Sequence, residues 1–337
     1  MADRVGQLFV MGITATGATG GQLQLVTRTR VGAVILMGNS TAGISGVRQV
    51  TDAARQAGRQ PAGVKLMVTA DQEGGQVRRL QGAGFSSMPS GLAQGSYPDA
   101  TLQAKARQWG TELKQAGVDV DLAPVTDVVP ASIGDRNSVD GKYGRQYGST
   151  TQRVAQKTTA FIQGMKAAGE GTTVKHFPGL GRVTGNTDFA AKVVDNVTTR
   201  HDATLGGFNS GLSAGADMIM VSTAYYTKID SGNPAAFSPT VVTGMLRDDR
   251  HYQGVIISDD LGVAKAVAGW SPGQRAIRFI EAGGDLVTNV DPDTTDDMVN
   301  AVLAKAEADP TFAARVKASA DRVLAMKAHQ GLAGCHH

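Results

Sequence analysis

Short apolar segments recur along the chain, and each ends in a small, polar or charged residue. Eight of them are candidate strands, over residues 6–12, 31–38, 64–71, 118–127, 172–176, 217–223, 254–259 and 284–289. Several are nearly continuous apolar runs, such as residues 33–37 and 255–257. Continuous runs are typical of strands that are buried on both faces, whereas a sheet with one wet face alternates apolar and polar positions. The pattern therefore predicts parallel strands.

Segments with helical spacing lie between these strands. Residues 104–116, 151–168 and 274–282 are examples, and each is followed by a glycine that fits a helix C-cap and then by a strand. Eight β/α alternations predict an α/β fold, a closed (β/α)₈ TIM barrel, with a final helix over residues 311–328. No low-complexity linker divides the chain, so we expect residues 1–337 to form a single domain. A doubly wound open sheet is the alternative fold.

The composition of the 337 residues excludes several classes of protein. Hydrophobic residues make up 41% and charged residues 19%, so a large core can form and disorder is not expected. The 33 Lys and Arg exceed the 30 Asp and Glu by too little to indicate a nucleic-acid or membrane-surface partner. The single cysteine, Cys335, excludes an intramolecular disulfide and a metal site built from several cysteines.

No apolar stretch approaches the roughly 20 residues that a spanning helix needs, so we expect no membrane span. The first four residues, Met-Ala-Asp-Arg, do not begin the apolar core of a signal peptide. The two interpretations are a cytoplasmic protein and an exported protein whose signal is absent from this chain.

In a barrel of this kind, polar residues at the carboxyl ends of the strands converge on one site. The sequence places Asp71, Asp127, Lys175, His176 and Asp259 at such ends. Lys175 and His176 stand together before a Pro-Gly turn, and we expect them to donate hydrogen bonds to ligand hydroxyls or a carbonyl. The alternative is a solvated lysine beside a histidine that caps a loop.

Two further stretches carry carboxylates, and each leaves an alternative open. Because successive strand side chains point to opposite sides, only one of Asp259 and Asp260 can face the barrel mouth, and the other would cap a helix or orient the loop. Asp71 and Arg79 form either a hydroxyl-binding corner or a purely structural ion pair. The Gly74-Gly75 pair lacks the spacing of a phosphate-binding loop.

Together these stretches resemble glycoside hydrolase family 3, in particular its single-domain β-N-acetylglucosaminidases that act on peptidoglycan fragments. The resemblance rests on Asp-Gln-Glu-Gly-Gly at 71–75, Lys-His-Phe-Pro-Gly at 175–179 and Ser-Asp-Asp-Leu at 258–261, in the order in which the family has them on successive barrel strands. Residues 121–127 and 144–148 extend the match over most of the chain. The resemblance implies a TIM barrel and a retaining exo-β-N-acetylhexosaminidase.

The resemblance also implies roles for individual residues. Asp259 matches the catalytic nucleophile, which would form a covalent intermediate. The residues that match binding positions for the terminal N-acetylglucosamine are Asp71, Arg79, Arg145, Lys175 and His176. Arg136 competes locally with Arg145, which we prefer because its Arg-x-aromatic-Gly pattern runs directly into the helix that leads to Lys175.

The sequence departs from the family pattern at the general acid/base. Where better-known members carry Asp-Ser/Thr-His, this chain has Asn186-Thr187-Asp188. We expect Asp188, held by Asn186, to donate the proton, and this role needs an Asp188 pKa that burial has raised. We also count Asn186 among the substrate-binding residues. His201 is an alternative acid, and Trp270 could reach a second sugar. Two other functions stay open, a sugar-binding protein with weak or no hydrolysis and a phosphorylase.

The remaining expectations concern partners and location. The resemblance implies a carbohydrate substrate, such as a muropeptide or a chitooligosaccharide containing N-acetylglucosamine, with no cofactor and no metal. We expect a monomer. Family relatives occur in the cytoplasm and, in Gram-positive bacteria, in the cell envelope. The loop around Asn186 to Asp188 resembles the latter group, so we favour an extracytoplasmic location, with the cytoplasm as the alternative.

Overall fold

The computed structural model describes residues 1–59 and 63–334. Cys335, on which the disulfide argument rests, lies outside the described residues. Eight strands form one parallel sheet: β1 (Phe9–Thr14), β2 (Ala33–Met37), β3 (Met67–Ala70), β4 (Val120–Asp121), β5 (Gly171–Phe177), β6 (Met218–Val221), β7 (Val255–Ser258) and β8 (Val287–Asn289). Each lies within or overlaps one of the eight predicted segments.

The sheet closes into a barrel. Strands β1 to β7 pair in sequence order, and β8 returns to pair with β1 at Val10 and Thr288. A bridge between Ile257 and Leu286 joins β7 to β8, and the Ser258 N–H donates to the Leu286 carbonyl at 3.0 Å. The predicted (β/α)₈ barrel is confirmed, and the open doubly wound sheet is wrong.

A helix follows each strand. In chain order they are α1 (Gly20–Thr29), α2 (Gly43–Ala57), α3 (Asp99–Gln115), α4 (Thr151–Ala167), α5 (Gly206–Ala214), α6 (Thr240–Asp248, with π-type hydrogen bonds), α7 (Pro272–Ala282), α8 (Thr295–Ala308) and, after the eighth unit, α9 (Pro310–His329). The predicted final helix is α9, an addition to the eight-fold pattern. At the end of α7, Gly283 adopts φ 108°, a left-handed conformation that favours glycine.

Shorter elements complete the backbone. The short helices are Ala2–Gly6 and Gly91–Gln94, and single 3₁₀ turns occur at Gly134–Arg136, Gly141–Tyr143, Ala203–Leu205, Ala235–Phe237, Lys265–Val267 and Pro292–Thr294. A hairpin of Gln72–Gly74 and Val77–Arg78 follows β3. A three-stranded sheet of Val194–Asp195, Tyr225–Tyr226 and Asp230–Pro234 is built from the loops after β5 and β6.

The apolar strand residues fill two separate layers. Val255 and Ile257 belong to a cluster inside the barrel, whereas Ile256 between them packs in the larger cluster between the sheet and the helices. Successive side chains thus point to opposite, equally buried faces. This arrangement is the physical reason for the continuous apolar runs in the sequence.

Helix α9 covers the end of the barrel at which the strands begin. Its fully buried Lys327 donates to Gln7 Oε1 at 2.7 Å, to the Gly32 carbonyl at 2.6 Å and to the Lys65 carbonyl at 3.1 Å. All three acceptors lie just before strands. Within residues 1–59 and 63–334, no helix combines the length and the hydropathy that crossing a membrane requires.

Candidate active site

A cavity of about 340 Å³ opens at the carboxyl ends of the strands. Its wall includes all eight residues that the sequence singled out for the site: Asp71, Arg79, Arg145, Lys175, His176, Asn186, Asp188 and Asp259. They come from the ends of β3, β5 and β7 and from the loops that follow β3, β4 and β5. The structure therefore brings these eight together, while their individual roles stay predictions. Asp127, the other strand-end residue that was expected at the site, is buried and does not line the cavity.

Lys175, near the end of β5, lies between two carboxylates. Its Nζ contacts Asp71 Oδ1 at 2.7 Å and Glu73 Oε1 at 2.6 Å. Burial by itself lowers the pKa of an ammonium group, but the charges of Asp71 and Glu73 outweigh it and raise the pKa of Lys175 above its ordinary value. Lys175 is therefore a fixed positive charge at the pocket wall.

Glu73 also holds Arg145. The Arg145 Nε donates to Glu73 Oε2 at 2.8 Å and its Nη2 donates to Oε1 at 2.7 Å, which makes the pair bidentate. Burial raises the pKa of Glu73, but Arg145 and Lys175 outweigh it and hold that pKa well below its usual range. Glu73 is not among the site residues predicted from the sequence, although it lies within the Asp-Gln-Glu-Gly-Gly run that marks this corner.

The two candidate arginines lie in different places. Arg145 lines the cavity, and the loop carbonyl of Val139 also accepts from its guanidinium at 3.3 Å. Arg136 is exposed and donates to the Ser132 carbonyl four residues earlier. Arg136 therefore organises its own turn, and Arg145 is the candidate whose position fits the predicted role in sugar binding.

His176 pairs with Asp127 at the next strand end. The two side chains meet at 2.7 Å between Nδ1 and Oδ2, and Asp127 also accepts from the backbone N–H groups of His176 and Leu180. Burial, reinforced by Arg145, lowers the pKa of His176 to about 4, and burial raises the pKa of Asp127 to about 6. At neutral pH the imidazole is uncharged and donates its Nδ1–H to Asp127, which leaves Nε2 as an acceptor.

This result changes the expected pair of donors into one donor and one acceptor. Adjacent strand residues normally point to opposite faces. Lys175 and His176 both reach the cavity because the pairing of β5 with β6 shifts register between Val174 and Phe177. Irregular pairing of this kind is common beside active sites, where it re-aims a side chain.

Asp140 lies behind His176 and is fully buried. The ligand atoms of Asp127, Asp140 and His176 lie within 4.8 Å of one another, which is the spacing of a small metal site. The Arg145 guanidinium already stands 3.3 Å from Asp140 Oδ1 and 3.5 Å from His176 Nε2. This cation supplies the positive charge that a metal would bring, so the donor set fits a charge-compensated polar cluster better than a metal centre.

The two consecutive aspartates after β7 have different surroundings. Both oxygens of Asp260 accept backbone N–H groups, from Gly262 at 2.9 Å, Val290 at 3.0 Å, Val263 at 2.8 Å and Ala264 at 3.1 Å. Asp259 accepts one backbone N–H, from Asp260 at 2.9 Å. Both aspartates line the cavity, so the expectation that only one of them can face the mouth is wrong. Asp260 uses both oxygens to orient the loop, whereas Asp259 Oδ2 accepts no hydrogen bond from the residues that the structure describes.

The electrostatics of Asp259 reflect its position. Burial raises its pKa to about 6, and the charge of Asp188 adds to that rise. Two carboxylates that interact in this way titrate as a pair. At pH 7 Asp259 is mostly ionised.

Asp188 belongs to a loop that is tied to the segment after β7. The Lys265 N–H donates to the Asp188 carbonyl at 3.2 Å, and the Ala266 N–H donates to the Thr187 carbonyl at 3.0 Å. Asn186 accepts the Asp188 backbone N–H at 2.8 Å, so it fixes the turn and leaves the carboxyl group free. The side chain is exposed at the cavity mouth, where desolvation by the surrounding wall and the charge of Asp260 raise its pKa.

The structural ion pair between Asp71 and Arg79 is not formed in the part of the chain that the structure describes. Asp71 pairs with Lys175, and Arg79 donates to Asn39 Oδ1 at 3.2 Å. The buried Arg79 Nε has no hydrogen-bond partner there. His201 and Trp270 are not among the residues of the cavity wall, and Trp270 packs edge-on against Phe237 with 5.1 Å between the ring centroids.

Comparison with known proteins agrees with this geometry. The sequence matches the model of the glycosyl hydrolase family 3 N-terminal domain over residues 1–326. A β-N-acetylhexosaminidase from Beutenbergia cavernae DSM 12333 is 46% identical, with a TM-score of 0.95 over 97% of this chain and 98% of that chain. A family 3 β-N-acetylglucosaminidase from Paenibacillus sp. str. FPU-7 is 28% identical, with a TM-score of 0.89 over 100% of this chain and 64% of that chain. A β-hexosaminidase from Stenotrophomonas maltophilia (strain R551-3) is 29% identical over 306 residues, which is 88% of each chain.

Proposed function

This chain belongs to glycoside hydrolase family 3 and is a glycoside hydrolase, and on that premise we propose the substrate and the mechanism. It removes terminal β-linked N-acetylglucosamine from peptidoglycan fragments or chitooligosaccharides. Hydrolysis proceeds with retention of configuration through a covalent intermediate on Asp259. The observation that carries this proposal is the carboxylate of Asp259, which lines the same cavity as Lys175, Arg145 and His176, while both oxygens of its neighbour Asp260 accept backbone N–H groups of the loop.

In the first step an oxygen of Asp259 attacks the anomeric carbon and the glycosidic bond breaks. The departing oxygen takes a proton from Asp188, which becomes a carboxylate. Water then attacks the anomeric carbon, returns a proton to Asp188, and breaks the ester to regenerate Asp259. A carboxylate nucleophile must be ionised, and a pKa of about 6 leaves Asp259 mostly charged at neutral pH.

Asp188 is suited to the acid role by the direction of its pKa shift. An ordinary aspartic acid has a pKa near 3.9 and holds few protons at neutral pH. Desolvation by the surrounding wall and the negative charge of Asp260 raise the pKa of Asp188. Substrate that fills the cavity excludes more water and raises that pKa further.

The remaining side chains of the wall bind the terminal sugar. The charged network of Asp71, Glu73, Lys175 and Arg145 presents hydrogen-bonding groups at fixed positions, and neutral His176 offers an acceptor at Nε2. Arg79 brings an Nε–H without a protein partner in the described structure. Because these groups are already held in position, binding the sugar hydroxyls has little free-energy cost from reorganising the side chains.

The test of the acid role compares two leaving groups. Asp188→Ala should lower kcat/KM on N,N′-diacetylchitobiose by about 10²- to 10⁴-fold, because its sugar leaving group needs a proton. The same variant should change turnover of 4-nitrophenyl N-acetyl-β-glucosaminide little in its first step, since nitrophenolate leaves without protonation. Asp135→Ala, an exposed carboxylate outside the cavity wall, is the matched control.

Two other outcomes would replace the proposal. If the wild-type protein binds N-acetylglucosamine but turns over neither substrate, it is a sugar-binding protein. If turnover requires inorganic phosphate and yields a sugar phosphate, it is a phosphorylase. Equal activity of Asp188→Ala and wild type on the disaccharide would remove Asp188 from the mechanism.

A further inference from the structure

Two large apolar side chains at the cavity mouth are exposed to solvent. Phe189 is 81% exposed and Val263 is 57% exposed, and both line the cavity. Exposing an aromatic ring to this extent has a cost in water, and exposed apolar surface at the rim of a pocket often marks a place where a ligand binds. Neither side chain has a part in the mechanism described above.

The backbones that carry these two side chains are fixed. The Phe189 N–H donates to the Asn186 carbonyl at 3.1 Å, and the Val263 N–H donates to Asp260 Oδ2 at 2.8 Å. The hydrogen bond from Lys265 to the Asp188 carbonyl then joins the two loops. Phe189 and Val263 therefore stand at the mouth on supported loops, and their exposure is not that of a loose segment.

The cavity wall holds both charged and apolar side chains. Asp71, Glu73, Arg145 and Lys175 are linked in the charged network, whereas Phe189 and Val263 lie on the two loops that the hydrogen bond from the Lys265 N–H to the Asp188 carbonyl joins. A proton donor must face the oxygen that departs, and Phe189 follows Asp188 in the chain and lines the same cavity wall. The face of a pyranose ring carries C–H groups and is apolar.

We propose that Phe189 and Val263 form the surface against which the leaving-group sugar ring packs, and that they set the preference for a second sugar over a small aglycone. This inference rests on the proposed function and deepens it. The preference for the leaving group is thereby assigned to two side chains that are not among the residues proposed to bind the terminal sugar.

The test measures kcat/KM for two substrates that differ only in the leaving group. N,N′-diacetylchitobiose carries a second ring, and methyl N-acetyl-β-glucosaminide carries a methyl group too small to reach the surface. Phe189→Ala should lower kcat/KM on the disaccharide on the order of tenfold and leave the methyl glycoside within about twofold. Phe189→Tyr should restore the wild-type value, because it keeps the ring.

Val197→Ala is the matched control, since Val197 is 49% exposed and lies outside the cavity wall. It should change neither substrate. An unchanged disaccharide kcat/KM in Phe189→Ala would overturn the inference, because the ring would then make no contact that matters for this substrate. An equal loss on both substrates would also overturn it, because the side chain would then only support the loop. Failure of the wild-type protein to cleave either substrate would instead overturn the proposed function.

Discussion

Glu73→Gln tests the charged network at its centre. Gln keeps the shape of the side chain but replaces one carboxylate oxygen with an NH₂ group. Three N–H contacts reach the two oxygens of Glu73: Arg145 Nη2 and Lys175 Nζ at Oε1, and Arg145 Nε at Oε2. Either orientation of the amide therefore places a donor against a donor, and two buried cations lose their shared charge.

The size of the effect follows from burial. Removing one partner of a buried ion pair costs about 3–5 kcal/mol, because the remaining charges stay in a low-dielectric environment. Glu73 is buried, so the free energy of unfolding in urea should fall by about that amount with an unchanged slope. Asp296→Asn removes the partner of Arg28 in an exposed pair and should cost less than about 1 kcal/mol.

The pH dependence gives a second check. The pKa of Glu73 is lower in the folded protein than in the unfolded chain, so the unfolded chain takes up its proton first as the pH falls. The stabilisation is complete above the ordinary carboxyl pKa of about 4.3 and is lost as the pH falls towards the lowered value. The difference between wild type and Glu73→Gln should therefore be largest at neutral pH and shrink in acid. A loss no larger than that of Asp296→Asn, or a difference that is constant with pH, would refute the reasoning.

Two other predictions address the site and the barrel. The kcat/KM of the wild-type enzyme should decline as the pH falls below about 6, because the pKa of Asp259 is raised to about 6 and the protonated carboxyl group does not attack. A pH–rate profile measures this decline. A flat profile down to pH 5 would contradict the prediction. Lys327→Ala should lower the free energy of unfolding by about 3 kcal/mol or more, because three oxygens, two of them buried, lose their donor. Lys317→Ala, which removes an exposed ion pair on the same helix, should cost about 0.5 kcal/mol or less in the same urea titration, and equal losses would contradict the role given to Lys327.

The barrel was readable from the sequence because both faces of its strands are buried. Residues such as Val255, Ile256 and Ile257 give a continuous apolar run only in a strand covered on both sides. The final helix was predicted correctly and is α9. Its position across the end of the barrel could not be predicted, because periodicity marks a helix but does not tell which surface that helix covers.

The site was readable where strand ends carry unusual polar residues, as at Lys175, His176 and Asp259. The choice between Asp259 and Asp260 could not be made from sequence, because it depends on which oxygens the backbone of a distant loop satisfies, including that of Val290. Glu73 was missed as the link between Arg145 and Lys175 for the same reason. Its partners lie 72 and 102 positions further along the chain, and pairing at that distance leaves no local pattern.

The most direct test of the central claim is to trap the covalent intermediate. A 2-fluoro glycoside with a good leaving group forms the glycosyl-enzyme ester and slows its hydrolysis, and peptide mass spectrometry then locates the modified residue. We expect one sugar per chain, attached to Asp259, and no labelling of the Asp259→Asn variant. A label on Asp260, or rapid turnover of the substrate by Asp259→Asn, would contradict it.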